Sequence, residues 1–159
     1  ARFHLQDSEM AFVTGRAMTH KRLRHSYCLP DVIQMVTMVY GDRVVFHDGD
    51  QSLCPGVHLH AMPGHARGLQ SLAVNTSRGT VIVASDAAHY YEGFLDEQLF
   101  MTHENVFEMV ESYRRLRRLA ASDEHVIPGH DPEVLRRYPP AAAGLEGIVA
   151  RVDVAPIKR

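Results

Sequence analysis

Apolar residues recur along the chain with two periods, one typical of helices and one typical of strands. Spacings of three and four residues predict helices over residues 31–40 and 104–121. The predicted buried face of the second helix contains Val106, Val110, Tyr113, Leu116 and Ala120. Its acidic residues come early and its arginines late, an order that the helix macrodipole favours.

Short β-branched or alternating runs predict six strands, over residues 3–6, 43–47, 57–60, 69–75, 80–85 and 125–127. Ser77 to Gly79 reads as a hairpin turn, and short helices are expected over residues 7–12 and after Asp131. We expect residues 16–27 to form a loop or an irregular helix. Residues 92–101 are expected to be irregular, anchored by Phe94, Leu95 and Phe100. This mixture predicts a single α/β domain over residues 1–159, of which 139–159 form a loop or tail.

Composition narrows the possible settings of this domain. The chain has 159 residues, is 45% hydrophobic and carries a formal net charge of -2, which suits one domain with a real core. It shows no long apolar run and no pooled basic residues, so we expect no membrane or nucleic-acid partner and a cytoplasmic location. Cys28 and Cys54 lack the spacing of a disulfide framework or thiolate metal site. Histidine, with eleven residues, is the one residue type in excess in this composition.

Three polar residues each lie directly beyond a short apolar strand. His65 follows the Pro63-Gly64 turn, Asp86 follows the run VIVAS, and His130 follows a second Pro-Gly pair. Strands of one sheet bring such ends together on one rim, although a single histidine or aspartate there is more often a cap or a solvated turn residue. Imidazole and carboxylate groups are ligands that Zn²⁺, Fe or Mn accept. The three residues together predict a metal site.

The segments around these residues resemble motifs of the metallo-β-lactamase-fold hydrolases, and most closely the N-acyl-homoserine lactonase family. The matching segments are PGHARG at 63–68, ASDA at 84–87 and IPGH at 127–130, with weaker matches over 3–10, 45–50 and 86–92. The resemblance implies that His65 ligates a first zinc ion, that Asp86 bridges two ions and that His130 ligates the second, with Mn or Fe as other possible metals. Two cations would lower the pKa of a shared water that attacks a carbonyl carbon.

One signature of that family is absent from this chain. HxHxDH supplies four ligands in the family, but the nearest sequence here, His58-Leu59-His60, is followed by Ala61-Met62. The chain is therefore expected to resemble the C-terminal half of a metallo-β-lactamase αββα sandwich, without four of the seven ligands. Half a sandwich exposes the inner face of its sheet, for which we expect Leu72, Val74, Val81 and Val83. We expect it to form a homo-oligomer or to associate with a missing N-terminal half.

A second departure lies three residues after the bridging aspartate. Many acyl-homoserine lactonases have tyrosine there, whereas this chain has His89, followed by Tyr90 and Tyr91. His89 or Tyr90 could polarise a carbonyl or donate a proton, since a histidine near its ordinary pKa is a plausible acid. Tyr91 is expected to pack in the loop.

The resemblance implies a function for the full-length parent, a metal-dependent hydrolase of N-acyl homoserine lactones or of a related small lactone or ester. The chain alone is expected to be weakly active or inactive. One alternative is a thioester hydrolase of the glyoxalase II kind, which shares the ligand motifs. Another is a non-catalytic fragment that binds metal or a partner, for which the missing signature is the main argument.

Overall fold

Two sheets organise the structure, a computed structural model that describes residues 1–157. In chain order the strands are β1 (Phe3–Gln6), β2 (Val44–His47), β3 (Gln51–Cys54), β4 (Val57–Ala61), β5 (Gln70–Thr76), β6 (Gly79–Ser85) and β7 (Val126–Pro128). The helices are α1 (Asp7–Thr14), α2 (Lys21–Arg24), α3 (Leu29–Tyr40), α4 (Tyr91–Leu95), α5 (Val106–Leu119) and α6 (Glu133–Arg137). Short 3₁₀ turns occupy Arg16–Thr19 and Asp123–His125.

The larger sheet places the ends of its last two strands side by side. Its order is β3-β4-β5-β6-β7, with antiparallel neighbours except for the parallel pair β6 and β7. Ser85 at the end of β6 is in register with Pro128 at the end of β7. Because parallel strands end at the same edge, the loops that follow them emerge together. This register brings Asp86 close to His130.

The buried side chain of Gln6 links a smaller sheet to the larger one. Strands β1 and β2 are parallel, and Gln6 at the end of β1 is in register with His47. The buried Gln6 amide donates to Gln70 Oε1 at 3.0 Å and to the Gly49 carbonyl at 2.9 Å. These bonds satisfy a polar group that burial would otherwise leave unpaired.

The main core lies between one face of the larger sheet and α5. Ala73, Ile82 and Ala84 come from the sheet, and the buried residues of the helix are Met109, Ser112, Tyr113 and Leu116. The predicted helix is confirmed, but its predicted buried face is wrong at Val106, which is exposed. The buried stripe follows the spacing 109, 112, 113 and 116, so it begins one turn after the N-terminus.

The opposite face of the larger sheet is only partly covered. Val81 is 1% exposed because it packs in a small cluster with Ile127 and Tyr138, so the expectation that it is exposed is wrong. Leu72 and Val83, which are cross-strand partners, are 36% and 42% exposed. An apolar patch therefore remains open on this face.

The remaining helices and strands agree with the sequence prediction, with a few differences. The predicted helix over 31–40 is α3, which begins two residues earlier and buries none of its residues. Strand β3 and helix α4 were not predicted, since both are short and β3 is a mostly polar edge strand. The anchors Phe94 and Phe100 pack in or against the main core, whereas Leu95 is 45% exposed.

After α6 the described chain has no regular structure, and its Ala150 and Val152 pack against the cluster of Val81, Ile127 and Tyr138. Within residues 139–157 the described backbone forms one isolated bridge, between Pro140 and Ala150, and no helix or strand. The rest of the predicted tail, Lys158 and Arg159, lies outside the described residues. Within residues 1–157, no helix has the length and apolar character needed to cross a membrane.

We predict that Gly64→Ala destabilises the protein strongly, because a Cβ at this position would lie 2.5 Å from the backbone of Met109 in α5. Gly49→Ala is the matched control, since Gly49 also has a positive φ but has open space around it. The control should cost about 1 to 2 kcal/mol of unfolding free energy, and Gly64→Ala at least about 2 kcal/mol more. Urea unfolding measures both values, and equal losses would contradict the tight packing of the turn on α5.

Candidate metal centre

Asp86 stands at a sharp bend where β6 ends. Ser85 has a φ of 52°, in the left-handed region that non-glycine residues rarely adopt, and Ala87 N–H closes a turn onto the Ala84 carbonyl at 3.2 Å. Gly129 lies against this bend, where a Cβ would be 2.7 Å from the Ser85 carbonyl oxygen. The bend turns the carboxylate toward the rim of the sheet.

His65 is held beside Asp86 by the segment that precedes α5. The Gly64 carbonyl accepts hydrogen bonds from the backbone of Glu104 at 2.8 Å and of Asn105 at 2.9 Å. The His65 ring donates from Nδ1 to the Thr102 carbonyl at 2.7 Å, which leaves Nε2 facing Asp86 Oδ2 at 3.3 Å. In the neutral ring this Nε2 carries a lone pair. A nitrogen lone pair and a carboxylate oxygen repel each other unless a proton or a cation lies between the two atoms.

His130 reaches the other oxygen of the same carboxylate. Its Nε2 lies 2.8 Å from Asp86 Oδ1. Its backbone N–H donates to the His89 carbonyl at 3.1 Å, and Gly129 N–H donates to the Ala88 carbonyl at 2.9 Å, so the two loops run as a paired ribbon beyond the strands. Asp131 strengthens the pairing by accepting from the Tyr91 N–H at 2.9 Å.

His89 belongs to the same cluster. Its Nε2 is buried, has no hydrogen-bond partner and lies 3.7 Å from Asp86 Oδ1, and one ligand atom each of His65, Asp86 and His89 lie within 4.8 Å of one another. Phe100 stacks on the ring at 3.4 Å. Burial lowers the pKa of His89 to about 4, against the raising effect of Asp86 and with smaller lowering effects of His130 and His65. The premise that this histidine keeps its ordinary pKa is therefore wrong, and at neutral pH it is not a cationic acid.

The two tyrosines after His89 differ in their surroundings. Tyr90 is 49% exposed and its ring stands edge-on to His89, with centroids 6.3 Å apart, so it lies beside the cluster, and its catalytic role stays a prediction. Tyr91 is buried beneath the guanidinium of Arg137, 3.9 Å from the ring centroid. The predicted packing of Tyr91 is confirmed, but this residue begins α4 instead of lying in a loop, and its buried hydroxyl has no hydrogen-bond partner.

The His58-Leu59-His60 stretch serves another purpose in the fold. His60 Nδ1 lies 2.6 Å from Asp50 Oδ2, and Arg115 of α5 pairs with the same carboxylate. Burial raises the pKa of Asp50, but the His60 hydrogen bond, the Ala61 N–H and Arg115 outweigh it and hold the pKa below its usual value. His60 thus links β4 to α5 through Asp50 and is not a member of the strand-end cluster, which consists of His65, Asp86, His89 and His130.

The structure therefore places the predicted ligands His65, Asp86 and His130 on one rim, and their role as ligands stays a prediction. His89 is a fourth polar residue beside these three. Its Nε2 has no hydrogen-bond partner, and this atom is better suited to bind a metal than to face a second proton donor. Its position three residues after Asp86 was the only sequence signal for it. Arg67 was missed altogether; it pairs with Glu108 at 3.2 Å and fastens the His65 turn to α5.

Two curated relatives are similar to this chain in sequence. An N-acyl homoserine lactonase of Bacillus cereus is 34% identical over 88 residues, which cover 54% of this chain and 35% of the relative. An N-acyl homoserine lactonase of Bacillus thuringiensis subsp. kurstaki is 35% identical over the same shares. No family model matches the chain.

Two solved structures show the same fold. An N-acyl homoserine lactone hydrolase, with N-hexanoyl-L-homoserine bound at its catalytic metal centre, superposes with a TM-score of 0.64 and 25% identity. That match covers 82% of this chain and 47% of the other chain. A hydrolase of the β-lactamase superfamily gives a TM-score of 0.64 at 16% identity over 83% and 48%, which shows the fold alone.

The chain matches 35% of the length of its relatives and about half the length of the solved structures. The predicted half-sandwich of mixed α/β structure is confirmed by that coverage. The chain is thus similar in sequence to N-acyl homoserine lactonases and has the fold of about half of a metallo-β-lactamase-fold hydrolase.

Proposed function

We propose that this chain forms one wall of the metal centre of a lactone hydrolase. The observation that carries the proposal is the position of Asp86 between two imidazoles, with Oδ2 facing His65 at 3.3 Å and Oδ1 facing His130 at 2.8 Å. A carboxylate that presents a different oxygen to each of two nitrogen ligands is suited to bridge two cations. Zinc is the cation that this donor set suits best, and Mn or Fe are the alternatives.

The residues on the rim would have different roles in such a site. His65 and His130 would each hold one cation, and Asp86 would bridge them. Bound cations would lower the pKa of water and polarise an ester carbonyl. The Thr102 carbonyl fixes the His65 tautomer, so its Nε2 lone pair stays aimed at the site. Tyr90, half-exposed beside His89, is placed to donate a hydrogen bond to a carbonyl or leaving oxygen.

The substrate that we propose is an N-acyl homoserine lactone or a related small lactone. Hydrolysis of such a lactone is called quorum quenching. Support comes from relatives named as N-acyl homoserine lactonases and from a neighbour that holds N-hexanoyl-L-homoserine at its metal centre. These relatives favour a lactone over a thioester. A cytoplasmic location rests on the sequence alone and stays a prediction.

We further propose that a second polypeptide segment covers the open sheet face and supplies the remaining ligands. Leu72 and Val83 form an exposed apolar patch on adjacent strands, and the neighbours of known structure have chains about twice as long as the matched part. In the absence of that segment, two copies of the chain should bury the patch against each other.

We predict that the chain binds zinc through the strand-end cluster. Asp86→Asn should lower zinc affinity by more than about tenfold, because the amide loses the negative charge and one of the two acceptor oxygens. Asp96→Asn is the matched control, since this exposed aspartate ends α4 away from the cluster. Competition against a zinc chelator measures the affinities. If both variants bind zinc like the parent protein, Asp86 is not a ligand.

The chain alone should hydrolyse N-hexanoyl homoserine lactone slowly or not at all when loaded with zinc. The described residues offer three predicted ligands and His89, fewer than a two-cation centre of seven ligands requires. A pH-stat assay measures the rate, with Asp86→Asn expected to remove any residual activity and Asp96→Asn expected to keep it. Turnover by the chain alone above about 10 per second, typical of complete enzymes, would contradict the need for a second segment.

Self-association should depend on the open sheet face. Sedimentation velocity of the chain at increasing concentrations should show a monomer in equilibrium with a dimer. Val83→Lys should shift this equilibrium to the monomer, since burying an unpaired ammonium is costly. Asn75→Lys, an exposed change on the neighbouring strand β5, should leave it unaltered. A monomeric parent chain at all concentrations would show that the patch needs no cover.

A further inference from the structure

His89 is the one histidine of the strand-end cluster to which the proposed function assigns no role. Phe100 holds its ring on one side, with ring centroids 3.4 Å apart and an angle of 10° between the planes. The backbone is fixed as well, since the His89 carbonyl accepts from the His130 N–H at 3.1 Å. The direction in which the His89 ring points is therefore set by the fold.

The Nε2 atom of His89 is buried and has no hydrogen-bond partner among residues 1–157. Such a nitrogen loses the hydrogen bonds that it makes with water in the unfolded chain, which costs free energy. The carboxylate that it faces belongs to Asp86, whose Oδ1 lies 3.7 Å away, beyond the usual range of a hydrogen bond. A hydrogen bond does not span this gap, whereas a zinc ion does.

The spacing of the donor atoms suits one zinc ion. Zinc in proteins takes four ligands in a tetrahedron with bonds of about 2.0 to 2.2 Å, which separates neighbouring ligand atoms by about 3.3 to 3.6 Å. In the cluster, His65 Nε2 lies 3.3 Å from Asp86 Oδ2, and His89 Nε2 lies 3.7 Å from Oδ1. One ligand atom each of these three residues lie within 4.8 Å of one another. They are therefore within reach of the same ion.

His130 brings the number of donors to four. Its Nε2 lies 2.8 Å from Asp86 Oδ1, the distance of a hydrogen bond, and its ring centroid is 4.5 Å from that of His89. A shift of less than about 1 Å would separate Nε2 and Oδ1 as two ligands of one zinc ion are separated. The His130 side chain is 54% exposed, so packing leaves room for this shift.

The charge of the cluster also favours one ion. Asp86 is the single carboxylate among three imidazoles, and two divalent cations beside one carboxylate would repel each other strongly. The two-cation centre of the proposed function therefore needs the ligands of the covering segment. A single ion needs only the four donors that this chain already brings together.

We propose that the four residues of the strand-end cluster bind a single zinc ion in this chain, and that His89 is a direct ligand. The inference rests on the proposed function for the presence of a metal at this rim. It departs from that function in the set of ligands and in the number of ions. Tyrosine, the residue that the resemblance leads us to expect at this position, has no ring nitrogen to offer.

The first test counts the ions and measures the contribution of His89. Zinc titrated calorimetrically into the metal-free chain should bind tightly with one equivalent. His89→Gln should weaken this binding by more than about tenfold, because it removes one of the four ligands. His20→Gln is the matched control, since His20 is exposed and precedes α2, outside the cluster. Two tightly bound equivalents, or equal affinities of the parent chain and His89→Gln, would overturn the proposal.

The second test identifies the ligating nitrogens directly by NMR. An NMR-active cadmium isotope takes the place of zinc, and its one-bond coupling splits the signal of each isotope-labelled histidine nitrogen that binds it. The parent chain should show split Nε2 signals for His65, His89 and His130. An unsplit His89 Nε2 in the cadmium-loaded parent chain would reject this ligand, whatever the substitutions do to folding.

A third test separates ligation from packing against Phe100. His89→Gly leaves space for a small ring, and free imidazole should restore its zinc affinity at least about tenfold without strengthening zinc binding by the parent chain. Pyrrole has the same ring shape but no available nitrogen lone pair, so it should restore nothing. Equal restoration by the two compounds would show that His89 acts by packing alone.

These measurements also separate the inference from the proposed function. Loss of zinc binding in Asp86→Asn together with unchanged binding in His89→Gln would keep the metal centre and reject His89 as a ligand. Unchanged zinc binding in both variants would reject both proposals.

Discussion

The carboxylate of Asp86, shared between imidazoles on its two sides, is the interaction on which the rest of the site depends. It exists because β6 and β7 are parallel and end in register at Ser85 and Pro128, so that the following loops pair and carry His130 to Asp86. His65 arrives from a different turn and needs its own support, the carbonyl of Thr102 and the backbone of the segment before α5. The fold itself therefore sets the positions of the three site residues.

Within this cluster His130 Nε2 lies at hydrogen-bond distance from Asp86 Oδ1, whereas the buried Nε2 of His89 has no hydrogen-bond partner. Three imidazoles surround one carboxylate, and the pKa of His89 is lowered to about 4 by its burial, so this ring carries no positive charge at neutral pH to balance Asp86. The His65 ring presents a lone pair when neutral. Cations held by the Asp86 oxygens and by imidazole nitrogens would balance the charge of the carboxylate, which is the physical argument for a metal centre.

Much of this could be predicted from the sequence, because turns and short apolar runs mark the strand ends that carry His65, Asp86 and His130. Periodicity located α5 but misplaced its stripe, since only tertiary contact decides that Met109 is buried and Val106 is exposed. It also failed for Val81, which Tyr138 covers from more than fifty residues away. The burial of His89 under Phe100 depends on loop packing, and no local pattern reveals it.

The most direct measurement of the central claim is X-ray absorption spectroscopy at the zinc edge of the zinc-loaded chain. The account predicts nitrogen and oxygen neighbours at about 2.0 to 2.2 Å, with the multiple-scattering pattern of at least two imidazoles. Asp86→Asn should lose or alter this signal. Sulfur scattering at about 2.3 Å would instead place the metal on Cys28 or Cys54, both exposed, and would contradict the strand-end site.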